Sequence, residues 1–211
     1  MKTEQLIDLL ARGAGPAPRM NAAPRLALVV AGGTVLSAAG ALWLLGAIPS
    51  AMYASPAPWI KLAYAGSLAL AVLWLAVRLS RPVARLASPA RMAGLVVLGM
   101  AVLALGSLAY APSGERLDTL FGNSWARCPA DVLLLSLPTL AGTLWVMRGL
   151  APVRLHAAGF AAGVLAGAVG AAGYALSCLE TSPAFVGIWY TTGIALAGAL
   201  GAWLGPRVLN W

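Results

Sequence analysis

Two cysteines carry most of the chemistry available to this chain. Cys128 and Cys178 are its only thiols, and each is closely followed by a carboxylate, Asp131 after the first and Glu180 after the second. Two thiolates with two carboxylates could bind a soft or borderline metal ion. The thiols alone could form a structural disulfide, closing a loop of about 50 residues and contributing on the order of 4 kcal/mol in chain-entropy terms. They could also be a redox-responsive pair, or two unrelated thiols. The CxxC spacing of thioredoxin-like exchange is absent. Any joint role requires the chain to bring the two to one level on one side.

The elements that must do so are helices across a bilayer. Six apolar runs, at about 26–48, 60–79, 92–111, 132–147, 155–177 and 183–204, occupy most of the 211 residues. A spanning helix needs roughly 20 mostly apolar residues. The fold expected is therefore all-α, a bundle of six transmembrane helices with short loops. The division is 1–25 for a cytoplasmic amphipathic helix and linker, 26–205 for the bundle, and 206–211 for a cytoplasmic tail.

Charge sets the orientation. Of the 14 basic residues, all but Lys61, Arg116 and Arg127 fall before the first run, between the second and third, between the fourth and fifth, or after the sixth. Short loops rich in Lys and Arg stay cytoplasmic, so both termini read as cytoplasmic and both cysteines as outside. In a bacterial inner membrane that outside is the periplasm, where thiols oxidise readily. The net charge of +8 is orientation signal plus attraction to anionic lipid, worth about 1 kcal/mol per basic residue near the surface. It needs no nucleic acid, and no compact basic domain exists to bind one. The first run is too long for the apolar core of a cleavable signal.

Packing is partly readable. Helices in lipid associate through small residues that let backbones approach. Gly159, Gly163, Gly167 and Gly170 share roughly one face of the fifth run, which reads as a central helix; the first (Gly32, Gly33, Gly40) and sixth (Gly193, Gly198, Gly201) have shorter faces. Pro138 lies within the fourth run, where it frees the Leu134 carbonyl and offers a hinge or a packing kink. Ionisable residues inside the runs, the usual markers of a transport path, are nearly absent. Lys61 sits just inside the second run, where its stem can snorkel to the outer interface; His156 starts the fifth at the opposite interface. P-loop, HExxH and serine-nucleophile motifs are missing. An enzyme and a proton-coupled pump are thus both poorly supported.

Outside the bundle, Thr3 can cap a short helix whose apolar stripe is Leu6, Leu9 and Leu10, ended by Gly13-Ala14-Gly15-Pro16. So short a helix is marginal unaided. It either lies on the inner leaflet or offers its apolar edge to a groove on a partner.

Several segments resemble one bacterial family, the negative regulators of sigma F. These are MKTEQLIDLLARGAGPAP at the start, PWIKLAY into the second run with RP after it, CPADVLLLSLP at the fourth, and CLETSPAFVGIWYTTG into the sixth. The resemblance covers nearly the whole chain and is most specific at the cysteine-bearing segments. It implies a six-span anti-sigma factor that sequesters an extracytoplasmic-function sigma factor and releases it under a stress from outside, heavy-metal or oxidative. It implicates Cys128 and Cys178 as the sensors, and no cofactor beyond a transient heavy-metal ion. With that partner in view, the N-terminal segment around Leu6, Ile7, Leu9 and Leu10 becomes the expected sigma-contacting element, and the partners are then a sigma factor and the bilayer, with no direct nucleic acid. A change at the cysteines would shift the fourth and fifth spans, with Pro138 as hinge. The alternatives are a small-solute or metal transporter, or its membrane subunit, which needs a polar cavity near mid-depth, and a membrane thiol oxidoreductase, which needs a second redox pair.

Overall fold

The computed structural model describes residues 3–5, 7–8, 21–80, 86–150 and 152–210. Six of its helices are long and apolar enough to cross a bilayer. They are α1 (Ala22–Leu45), α2 (Ala57–Leu79), α3 (Ala87–Tyr110), α4 (Cys128–Arg148), α5 (Leu155–Tyr174) and α6 (Pro183–Val208). No strand occurs among the described residues. Because successive spans run antiparallel, the α1–α2, α3–α4 and α5–α6 connections gather at one end, called here the cysteine end, and residues 21 and 210 lie at the other.

Proline marks the start of every helix that begins at the cysteine end: Pro58 in α2, Pro129 in α4 and Pro183 in α6. Its missing N–H costs nothing in the first turn, where that donor would have no helical partner. The Ser182 Oγ completes the start of α6 by accepting from the Ala184 and Phe185 amides at 3.1 and 3.4 Å. The connections here carry their own structure, a 3₁₀ turn at Ser50–Ala54 and a short helix at Arg116–Phe121.

α5 is the centre, packed against α1, α2, α4 and α6. Its composition explains why: Gly and Ala allow backbones to come together where lipid supplies no hydrophobic drive. A Cβ on Gly163 would meet the Ala197 carbonyl, and one on Gly159 the Gly201 carbonyl. The glycine face is split, however. Gly159, Gly163 and Gly167 face α6, whereas Gly170 has turned to the Val132 carbonyl and Ser136 of α4. In α1, Gly33 and Gly40 pack on Thr139 and Leu135 of α4, while Gly32 faces open space. α1 and α3 lie at the periphery, presenting Leu28, Val35, Trp43, Leu95, Leu98 and Leu105 outward, as helices covered by acyl chains do.

Helix ends shift by a few residues from the sequence expectation, and two of the shifts bear on the cysteines. α4 begins at Cys128 rather than near 132, so Cys128 and Asp131 share its first turn; α5 ends at Tyr174, leaving Cys178 in an irregular segment beyond it. Hydropathy marks where apolar residues stop, whereas helix ends are set by capping and by Pro129. α4 continues through Pro138, an exposed position. Of the expected partner-contacting residues, Leu6, Leu9 and Leu10 lie outside the described residues; Ile7 is in a helical stretch and 61% exposed.

Candidate functional site: the two-cysteine end

Cys128 is fixed by the turn that starts α4, its N–H donating to the Ser124 carbonyl at 2.9 Å. Cys178 is fixed from the other side, its N–H donating to the Tyr174 carbonyl just past α5 at 3.0 Å. Both thiols are free and buried, Cys128 at 0% and Cys178 at 3% exposure. They belong to one apolar cluster with Tyr64, Tyr174 and Tyr190. The structure thus brings together the two residues expected to act jointly, without a bond between them.

The two cysteine-bearing segments are tied by Glu180. Its Oε1 accepts from the Asn123 amide at 2.7 Å and from the Ser124 amide and hydroxyl at 3.1 Å each. Hydrogen bonds to a carboxylate are among the stronger ones. The turn needs Gly122, whose φ of +54° and closeness to the Glu180 carboxylate leave no room for a side chain. Glu180 is one of the possible metal ligands, with Cys128, Cys178 and Asp131, and here its contacts are with the chain. Its carboxylate acts as a clamp on backbone amides. Among the described residues, no three His, Cys, Asp or Glu side chains are grouped to hold a metal ion.

Lys61 departs most from expectation. Its side chain does not snorkel outward: it is 0% exposed and donates from Nζ to the Cys178 carbonyl at 2.7 Å. The segment after α5 closes over it and supplies a carbonyl nearer than the interface. Trp59, two residues earlier, holds the interfacial position and donates to the Tyr53 carbonyl at 3.0 Å. A lysine one residue inside an apolar run was a legible signal, since intramembrane charges usually have a task. Its direction was not legible.

Tyr190 carried no signal of its own. It closes a π-helical stretch, Val186–Tyr190, within α6, and such stretches often occur at functional sites. Its ring stacks at 5.6 Å on that of Tyr174. It shares a buried cluster with Cys178, and its hydroxyl is buried with no hydrogen-bond partner among the described residues. The residue before it, Trp189, donates to the Leu120 carbonyl at 2.9 Å and packs with Phe121 and Trp125 of the α3–α4 connection. The π stretch therefore joins the outer connection to the thiol pair.

A cavity of about 370 Å³ opens beside the site, lined among others by Asn123, Arg127, Asp131, Tyr174, Cys178 and Glu180. Cys178 lines it and Cys128 does not. The arrangement can admit a small polar species to a buried thiol, with a second thiol behind it.

Comparison with known proteins identifies the family. The family described as "Negative regulator of sigma F" matches residues 10–211. A protein of Azospira oryzae named "Probable anti-sigma-F factor NrsF" is 41% identical across the whole of both chains. The "Anti-sigma-F factor NrsF" of Caulobacter vibrioides is 38% identical, again over both full lengths. No solved structure matches the chain. Agreement of this extent, spanning all six helices and both cysteine segments, makes the chain a member of the negative regulator of sigma F family.

Proposed function

We propose that this protein is a membrane-bound anti-sigma factor. It holds a sigma factor of the extracytoplasmic-function type at the cytoplasmic side of the inner membrane and releases it when a heavy-metal or oxidative stress acts on Cys128 and Cys178. The observation that carries this reading is the full-length similarity to two relatives named anti-sigma-F factors. The excess of basic residues at the end opposite the cysteines supports a cytoplasmic position for that end, with Cys128 and Cys178 toward the periplasm.

The partner surface is the N-terminal segment around Leu6, Ile7, Leu9 and Leu10, with the basic α2–α3 and α4–α5 connections beside it. A near-complete switch between two packings requires about 5 kcal/mol of differential stability. A new covalent bond or metal–thiolate pair is of that order, and a single new hydrogen bond is not. Pro138 supplies the hinge in α4.

Co-purification from membranes tests the reading. The full chain should retain a sigma factor that a chain lacking the first fifteen residues loses, and Cys128→Ser or Cys178→Ser should block release under stress. Recovery of no sigma factor with the full chain would overturn it. The transporter alternative gains no support, since the polar cavity beside the thiols lies at the end of the bundle and not at mid-depth.

A further inference from the structure

The cavity at the cysteine end lies among segments that the chain ties together. The Ile48 amide donates to the Leu176 carbonyl at 3.1 Å, joining the α1–α2 connection to the segment after α5. From that same segment, Glu180 holds the 123–124 turn. The space of about 370 Å³ is of a size that holds small ligands. Its lining carries charge of both signs. Glu180 is spent on backbone amides, which leaves the Arg127 guanidinium and, one helical turn later, the Asp131 carboxylate. The Ser177 Oγ belongs to the same lining and is buried without a hydrogen-bond partner among the described residues. Buried polar groups are ordinarily paired.

Leucines flank this polar lining. Leu45, at the end of α1, and Leu179, after α5, line the cavity and are 44% and 63% exposed. At the level where spanning helices end, the acyl and glycerol parts of a lipid cover such side chains, whereas a ligand from water leaves them bare. We propose that the cavity is a binding site for the headgroup of a zwitterionic phospholipid bearing a primary amine, of the phosphoethanolamine class. Its phosphate lies on Arg127, which can hold two oxygens through parallel N–H donors, and accepts from the Ser177 hydroxyl. Its ammonium lies on Asp131. A purely anionic headgroup is disfavoured, because it brings negative charge to Asp131 and leaves that carboxylate without a counterion. The site goes beyond the proposed regulatory role and needs no sigma factor.

Native mass spectrometry of the full-length protein tests the site, after incubation in detergent with phosphatidylethanolamine, phosphatidylglycerol or phosphatidylcholine of matched acyl chains. Phosphatidylethanolamine should bind about tenfold more tightly than phosphatidylglycerol, which lacks the ammonium and repels Asp131. It should also exceed phosphatidylcholine, whose quaternary amine has no N–H to donate. Arg127→Gln should weaken phosphatidylethanolamine by about tenfold, with Arg127→Lys, which keeps the charge without the paired donors, restoring part of it. Asp131→Asn should act differently, lowering phosphatidylethanolamine and raising phosphatidylglycerol until the preference is gone. Ser177→Ala should weaken both lipids by a smaller factor.

Equal binding of the ethanolamine and glycerol lipids by the wild-type protein, or a preference that survives both Arg127→Gln and Asp131→Asn, would overturn the site. So would displacement of the lipid by soluble phosphoethanolamine at equal concentration. That result would mean that the leucines at the mouth hold no lipid and that the ligand comes from water.

Discussion

Where α5 meets α6, backbone touches backbone: Gly159 and Gly163 lie on the carbonyls of Gly201 and Ala197 with no side chain between them. At the cysteine end, beyond the last turn of α5 and through the first turns of α6, the contact changes character. There the chain is held by a few directed bonds, Lys61 to the Cys178 carbonyl, Glu180 to the 123–124 amides and Trp189 to the Leu120 carbonyl. Among the described residues, the buried hydroxyls of Tyr190 and Ser177 there have no hydrogen-bond partner. Close packing is not continuously deformable, so the seam acts as a fixed axis. A cluster of polar bonds around buried sulfur can instead be rewired by changing one charge. The difference teaches that the bundle keeps close backbone packing and directed polar bonds in separate places, the one along α5 and α6 and the other at the cysteine end.

Substitutions should separate the two regions in order of effect. The largest loss is expected at the seam. Gly163→Val drives a branched side chain into the Ala197 carbonyl and should cost about 3 kcal/mol or more, read as a shift in the unfolding midpoint in a denaturing detergent titration. An unshifted midpoint would show that α5 and α6 can part there, and the contrast with the cysteine end would be lost.

At the cysteine end, Gly122→Ala should come next, at about 2 kcal/mol. It combines a backbone region reserved for glycine with a collision against the Glu180 carboxylate. Glu180→Ala should follow at about 1–2 kcal/mol, discounted for its partial exposure. Its distinguishing result is local: amide exchange at Asn123 and Ser124 should rise while the seam stays protected. Uniform acceleration along the chain would mean that the clamp and the seam are a single unit. The smallest change is Trp189→Phe, which removes the bond to Leu120 and keeps most of the packing, for about 1 kcal/mol. Its effect should be confined to the α3–α4 connection and the π stretch of α6, as read by protease cleavage of residues 111–127.

Much of the architecture was legible in residue type. Six runs of apolar residues became six helices with boundaries moved by a few residues, and the glycines of 159–170 did mark the central helix. Parity alone put Cys128 and Cys178 at one end. Glu180 and Lys61 were visible as rare charges, but the groups they bond to were not. In each case the deciding partner was a backbone group, the 123–124 amides or the Cys178 carbonyl. Backbone groups are the same at every position and leave no trace in a sequence. Tyr190 was one aromatic residue among many at a membrane interface, and its inward direction depends on a π stretch that no residue pattern announced.

The sequence by itself determined how many helices are long and apolar enough to cross a bilayer, which end carries the positive charge, and that both thiols share an end, because these follow from hydropathy, charge and parity, which add up residue by residue. Only the tertiary structure decided that the thiols are buried and unbonded, that Lys61 turns inward to the Cys178 carbonyl, and that the Tyr190 hydroxyl is buried in the same cluster without a partner among the described residues. Those outcomes depend on which segments meet across spans distant in sequence, and on the low-dielectric interior they create, where one donor without an acceptor matters more than a dozen charges in water.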